Sequence, residues 1–162
     1  MNCLTCGAKM KTQKKDVPYT ACGLSHVTLR NIEVSRCSQC GEEEITIPRI
    51  EALHQTIAQA LIAKPSRLNA EEIRYLRKYL DWSEADFAAH MGTTRETVMR
   101  WEKAQAHMGA QADRLLRLMI ATKGPVRDYS LATLRAISTQ ELPRVFHLGL
   151  TVEHEEWQAE AA

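Results

Sequence analysis

Two periods of apolar residues divide the chain. In HVTLRNIEVSRC, residues 26–37, apolar and polar positions alternate, and β-branched residues are frequent. Alternation places one set of side chains on one face of a strand. Val27 and Leu29 share one phase and Ile32 and Val34 the other, which predicts two short strands with a turn near Arg30-Asn31. The preceding KTQKKDVPYT (11–20) reads as an extended edge, because Pro18 cannot donate within a central strand. EEEITIP (42–48) is extended too. From Pro48 the period changes: Ile50, Leu53, Ile57 and Leu61 fall at helical spacing, and proline suits a first helical turn.

AKPSRLN interrupts this pattern, and Pro65 with its polar neighbours predicts a short linker over 63–68. It separates a first domain, 1–62, from a helical unit over 69–122. There Asn69 is a candidate N-cap, followed by Ile73, Leu76 and Leu80 on one face. Ser83 caps a second helix that buries Phe87 and Met91 and ends at Gly92. A third helix starts at Thr93, where Thr93 and Glu96 have the spacing of a capping box. AQADRLLRLMIA (110–121) closes the unit. Over the extension, 123–162, SLATLRAI (130–137) and STQELPRVFHLG (138–149) read as two short helices, each begun by serine, and the acidic EHEEWQAEAA as a frayed end.

Composition narrows the class. The chain has 162 residues, 44 % hydrophobic and 25 % charged, enough for one domain or two small ones with a core. Its net charge of +1 names no partner, but the distribution is uneven. Residues 63–124 hold eleven Lys/Arg against eight Asp/Glu, and 125–162 three against six, so a basic face can hide within a neutral total. The opening residues lack the apolar run of a signal peptide, and no stretch reads as a membrane span. A cytoplasmic protein with reduced thiols is expected.

Four of the five cysteines form two Cys-x-x-Cys-Gly turns, CLTCG (3–7) and CSQCG (37–41). In such a turn the sulfurs converge, glycine permits the tight backbone, and N–H groups face the thiolates. Two turns supply four thiolates, the donor set of one structural Zn2+ per chain held by Cys3, Cys6, Cys37 and Cys40. A thioredoxin-like centre would need one pair in a βαβ setting that is absent, and iron–sulfur spacing fits less well. Four thiolates close the shell, which argues against a catalytic metal. A domain of about sixty residues with few large apolar groups gains folding energy from such an ion. Cys22 reads as a bystander.

A short helix, a three-residue turn and another short helix have helix-turn-helix geometry. Ala88 is small where the helices approach, and Val98 and Trp101 point inward. Arg95, Glu96 and Arg100 are left outward. Arginine pairs with guanine O6 and N7 and glutamate accepts from cytosine N4, so that face suits a major groove. Glu96 has the capping role as its competing assignment.

The stretch 69–122, through MGTTRETVMRWEKA, resembles the Cro-type (Xre) helix-turn-helix domain. The chain to about residue 122 resembles the MqsA antitoxin family, also called YgiT-type zinc finger/helix-turn-helix proteins: CLTCG, KDVPYT, CSQCGEE and the helical unit come in that family's order and spacing. The resemblance implies an α+β two-domain fold, a zinc ribbon plus helix followed by an all-α helix-turn-helix bundle. It implies zinc on the four cysteines, base contacts from Glu96 and Arg100 with Arg95 and Thr97 adjacent, phosphate contacts from Ser83 and Thr94, and an Arg77–Glu102 ion pair. It further implies a homodimer through the helical domain that binds double-stranded operator DNA, represses its own operon and serves as the antitoxin of a type II toxin–antitoxin system, with a cognate toxin held by the zinc domain. Glu84 departs from the pattern, where many such domains carry a DNA-bonding glutamine.

The alternative is an interaction module whose ribbon edge holds a toxin or another protein, with DNA binding secondary. An enzyme is not expected: no Ser-His-Asp order, phosphate loop or His-Glu metal motif occurs, and the six histidines are scattered.

Overall fold

A computed structural model of the chain describes residues 1–123, 133, 137 and 146–161. The fold is α+β: five strands in one sheet and five helices among the described residues. Strand β1 (Met10–Pro18) pairs antiparallel with β2 (Val27–Cys37), the centre of the sheet. The other edge of β2 is shared. Its second half takes β3 (Glu43–Thr46) antiparallel, and its first half takes β4 (Leu148–Glu153) in parallel. β4 continues antiparallel to β5 (Glu156–Ala161).

β2 corrects the two-strand expectation. It is one strand with a bulge: Lys15 pairs with Ile32 and Val17 with Leu29, so two residues of β2 oppose one of β1. Asn31 takes a left-handed conformation there (φ 56°), and its N–H donates to Asp16 Oδ1 at 3.0 Å. The extra residue restores the phase, so Val27, Leu29, Ile32 and Val34 all lie on the buried face.

Helix α1 (Ile50–Ala63) buries Leu53, Ile57, Ala58, Leu61 and Ile62, while Ile50 stays about half exposed. Four helices follow: α2 (Ala70–Tyr79), α3 (Glu84–Met91), α4 (Arg95–Glu102) and α5 (Ala110–Lys123). One apolar cluster runs without interruption from Leu29 and Val34 of the sheet through Leu53 and Ile57 to Leu76, Phe87, Val98 and Leu116.

The segment between α1 and α2 is pinned, not a loose tether. Arg117, fully buried on α5, donates Nη1 to the carbonyls of Ile62 (3.0 Å) and Lys64 (2.7 Å) and Nη2 to that of Ser66 (2.7 Å). Its Nε bonds Asp113 Oδ1 at 2.7 Å, and Asp113 Oδ2 accepts the Leu68 N–H. Lys64 meets Glu72 at 2.5 Å, also buried. Arg117 thereby takes up the Ile62 carbonyl that α1 leaves open at its C-terminal end and the carbonyls of its C-cap Lys64 and of Ser66 beyond it.

The expected frayed end is also corrected. Residues 156–161 form β5 because Trp157 is buried and its indole Nε1 donates to the Pro48 carbonyl at 3.0 Å. Leu148 and Leu150 join the core from β4, Arg49 bonds the Glu155 carbonyl, and Arg30 pairs with Glu160. The alternation in HLGLTVE straddles the boundary expected between a helix and a tail, which hides it. Of the two expected helices over 130–149, all but residues 133, 137 and 146–149 lie outside the described residues, and 148–149 begin β4.

Candidate functional site

The two Cys turns meet at one end of the sheet. The Gly7 N–H donates to the Cys3 carbonyl (2.9 Å) and the Gly41 N–H to that of Cys37 (3.1 Å). Both glycines lie at positive φ, 73° and 78°, which a side chain would strain. The β1–β2 pairing of Met10 with Cys37 sets one turn beside the other. The four sulfurs then fall within 4.8 Å of one another, with Cys3–Cys40 at 3.5 Å, Cys6–Cys37 at 3.4 Å and Cys6–Cys40 at 3.5 Å. No disulfide joins them.

The donor chemistry fits a thiophilic cation. Backbone N–H groups of Cys40 and Gln39 hold the Cys37 thiol down at about 6, and those of Cys6 and Thr5 lower Cys3 in the same way. Cys40 accepts the Glu42 N–H, yet its neighbours Cys3, Cys37 and Cys6 push it up to about 12. Four thiolates cannot share this space without a compensating charge. A tetrahedral site with metal–sulfur bonds of about 2.3 Å sets its sulfurs about 3.8 Å apart, close to the spacing here. The four cysteines can hold one metal ion and leave no open position. Cys22 stands apart and donates its S–H to the Tyr19 carbonyl.

The second site is the surface of α3 and α4. Ser83 caps α3 in a box with Asp86, whose carboxyl is held below its ordinary range by the Ser83 hydroxyl and N–H. Gly92 ends α3 at φ 65°, and the Thr93 N–H reaches back to the Ala88 carbonyl. The N-cap of α4 lies one residue later than expected, and the helix starts at Arg95. Its cap is Thr94, which accepts the Thr97 N–H, so Thr93 and Glu96 form no capping box. That removes the competing role of Glu96. Ser83, Thr94, Arg95, Glu96 and Arg100 are exposed and Thr97 is half-buried, along one side of the pair. Val98 and Trp101 face the core.

The support behind α4 is ionic and buried. Glu102 takes Arg77 in a two-point pair, Nε at 2.5 Å and Nη2 at 2.9 Å, and Arg77 Nη1 also donates to the Trp82 carbonyl. Both side chains are about nine-tenths buried. Sequence reasoning missed two neighbours: Trp82 stacks on His90 at 3.9 Å, and Arg95 Nε bonds Glu84 Oε2 at 3.0 Å. Their spacings, i to i+8 and across a turn, carry no local signature. No described helix is long and apolar enough to cross a membrane.

No curated protein and no solved structure matches the chain. A family model, described as the antitoxin component of a bacterial toxin–antitoxin system, MqsA, matches residues 1–124. That span holds the four-cysteine cluster and all five described helices, and it stops before β4 and β5. The chain belongs to the MqsA antitoxin family.

Proposed function

We propose that this antitoxin is a dimeric, sequence-specific repressor of its own operon, and that α3, the turn at 92–94 and α4 form its helix-turn-helix. The observation that carries this reading is the exposed row Arg95, Glu96 and Arg100 on a helix whose other side is fixed by Val98, Trp101 and the Glu102 ion pair. α4 enters the major groove. Arg95 and Arg100 read guanines, Glu96 accepts from a cytosine, and Ser83, Thr94 and Thr97 bond flanking phosphates. The cysteine cluster holds one structural Zn2+ that orders the ribbon. The protein works in the cytoplasm and is not an enzyme.

Fluorescence anisotropy of the zinc-loaded protein tests this, with duplex from upstream of its own gene against scrambled duplex at several salt concentrations. The reading requires selective binding that weakens steeply with salt. Arg100→Ala should lose about 1–3 kcal/mol on the upstream duplex. Equal binding of both duplexes by the wild type, or an indifferent Arg100→Ala, sinks it.

A second reading is favoured by the edge of β1, which pairs with no strand but β2 among the described residues and exposes Lys11, Thr12, Gln13 and Lys14. A cognate toxin adds a strand there. Co-purification from native lysate checks this; a consistently lone dimer counts against it.

A further inference from the structure

The two outward arginines of α4 stand in unequal states. Arg100 has no ion-pair partner among the described residues. Arg95 gives its Nε to Glu84 Oε2 at 3.0 Å, across the gap between the first residues of α3 and α4. The pair is open to water, with side chains 62 % and 30 % exposed, and a pair of that kind adds little to folding. Nor does Glu84 cap its helix; Ser83 and Asp86 do that. Its position is costly for a surface that meets phosphate, because a carboxylate there repels the backbone of any sequence.

The geometry gives that cost a use. A bond at Nε leaves Nη1 and Nη2 for an incoming ligand, and two such donors can engage guanine O6 and N7 together. A guanidinium held at one edge has fewer rotamers to lose on binding. The adjacent carboxylate also cancels the charge by which a free arginine attracts phosphate in any DNA. We propose that Glu84 is a specificity-determining positioning residue: it presents Arg95 to a base while suppressing sequence-independent attraction. This rests on the DNA-binding reading above. Glu84 raises the ratio of specific to non-specific affinity and lowers both affinities.

Glu84→Gln separates the two effects, because the amide oxygen can still accept from Nε but carries no charge. At low salt the variant should bind scrambled duplex about tenfold more tightly, with a salt slope steeper by about one. Its gain on the upstream duplex should be smaller, so the affinity ratio falls at least about threefold. In an Arg95→Ala background the same substitution should leave the ratio unchanged. A thermal melt equal to that of the wild type shows that the variant is folded. If the wild type discriminates but Glu84→Gln keeps both ratio and slope, or changes the ratio equally without Arg95, the inference is wrong and the DNA reading stands. If the wild type prefers neither duplex, the DNA reading fails and takes this inference with it.

Discussion

The sheet and the helical bundle are ordered by contacts of different range. Each helix from α2 to α4 is started by its own neighbours: Asn69 with Glu72, Ser83 with Asp86, Thr94 with Thr97. The sheet pairs β1, β2 and β3 through neighbouring hairpins, but its two ends depend on residues far apart in the chain. Cys3 meets Cys40, and Val27 of β2 pairs with Leu148 of β4. Local caps lower the cost of each helix as it forms, whereas the sheet must close long loops before its contacts repay them. The sheet therefore has at one end the cysteine cluster, which can hold a metal ion as a cross-link, and at the other the C-terminal hairpin. Helices α2 to α4 of the bundle take their caps from neither.

The largest test of that contrast is metal removal. Structural zinc binds small domains with an apparent free energy of about 10–16 kcal/mol, comparable to or above the whole stability of such a domain. Chelation, or Cys37→Ser, should release the cysteine turns and the ends of β1 and β2 beside them. Amide exchange should rise there and stay slow in α2 to α5. Uniform loss of protection would show that the bundle depends on the metal as well.

Arg117 is the main polar tie between α5 of the bundle and the segment that follows α1, so its removal should loosen the coupling of the two regions. Arg117→Ala leaves Asp113 buried without its cation and takes one donor from each of three carbonyls, a loss of about 3–5 kcal/mol. Denaturant unfolding should change from one transition to two. Arg117→Met with Asp113→Asn should recover part of the stability, because no unpaired charge remains. A single transition in Arg117→Ala would place the coupling in the apolar core instead. Trp157→Ala should cost somewhat less, about 3 kcal/mol, through the cavity it opens and the lost bond to Pro48. Its exchange signature should fall on β4, β5 and the first half of β2, with the cysteine turns unaffected.

The same difference in range decides how much of the molecule was legible in its residues. The caps at Asn69 and Ser83, the Gly92 turn, the inward Val98 and Trp101, and the two Cys-Gly turns each carry their signal within about five positions, and all are where the pattern puts them. The cap at Thr94 was displaced by one residue because two threonines adjoin. The Asn31 bulge looked like a turn, since a phase slip in alternation reads the same for both. The hairpin of β4 and β5 was missed outright: its partner strand lies far earlier in the chain, at Val27–Arg30, and its local signals are slight, a split alternation in HLGLTVE and Trp157 in an acidic stretch. At the candidate DNA face the residues were legible as types, but the Glu84–Arg95 bond was not, because it depends on the angle between two helices.

A smaller effect tests the seam between sheet and bundle by pH. His54 on α1 lies between Tyr19 of the ribbon and Tyr75 of α2. The Tyr75 hydroxyl hydrogen is given to the His54 carbonyl at 3.1 Å, so its oxygen must accept from His54 Nδ1–H at 2.9 Å. His54 Nε2 is then the acceptor for Tyr19 O–H at 3.3 Å. Burial lowers the imidazole below its ordinary 6.5, and protonation at Nε2 would reverse the Tyr19 bond. The unfolded chain takes that proton first. The contribution is therefore full above about pH 6.5 and declines as pH falls from there through the folded value. Melting temperatures of wild type and His54→Gln between about pH 8 and pH 5 should converge toward the acid end, the wild type losing more. Parallel curves would mean that the imidazole titrates as freely in the folded protein as in the unfolded chain, and that the Tyr19–His54–Tyr75 seam does not respond to pH.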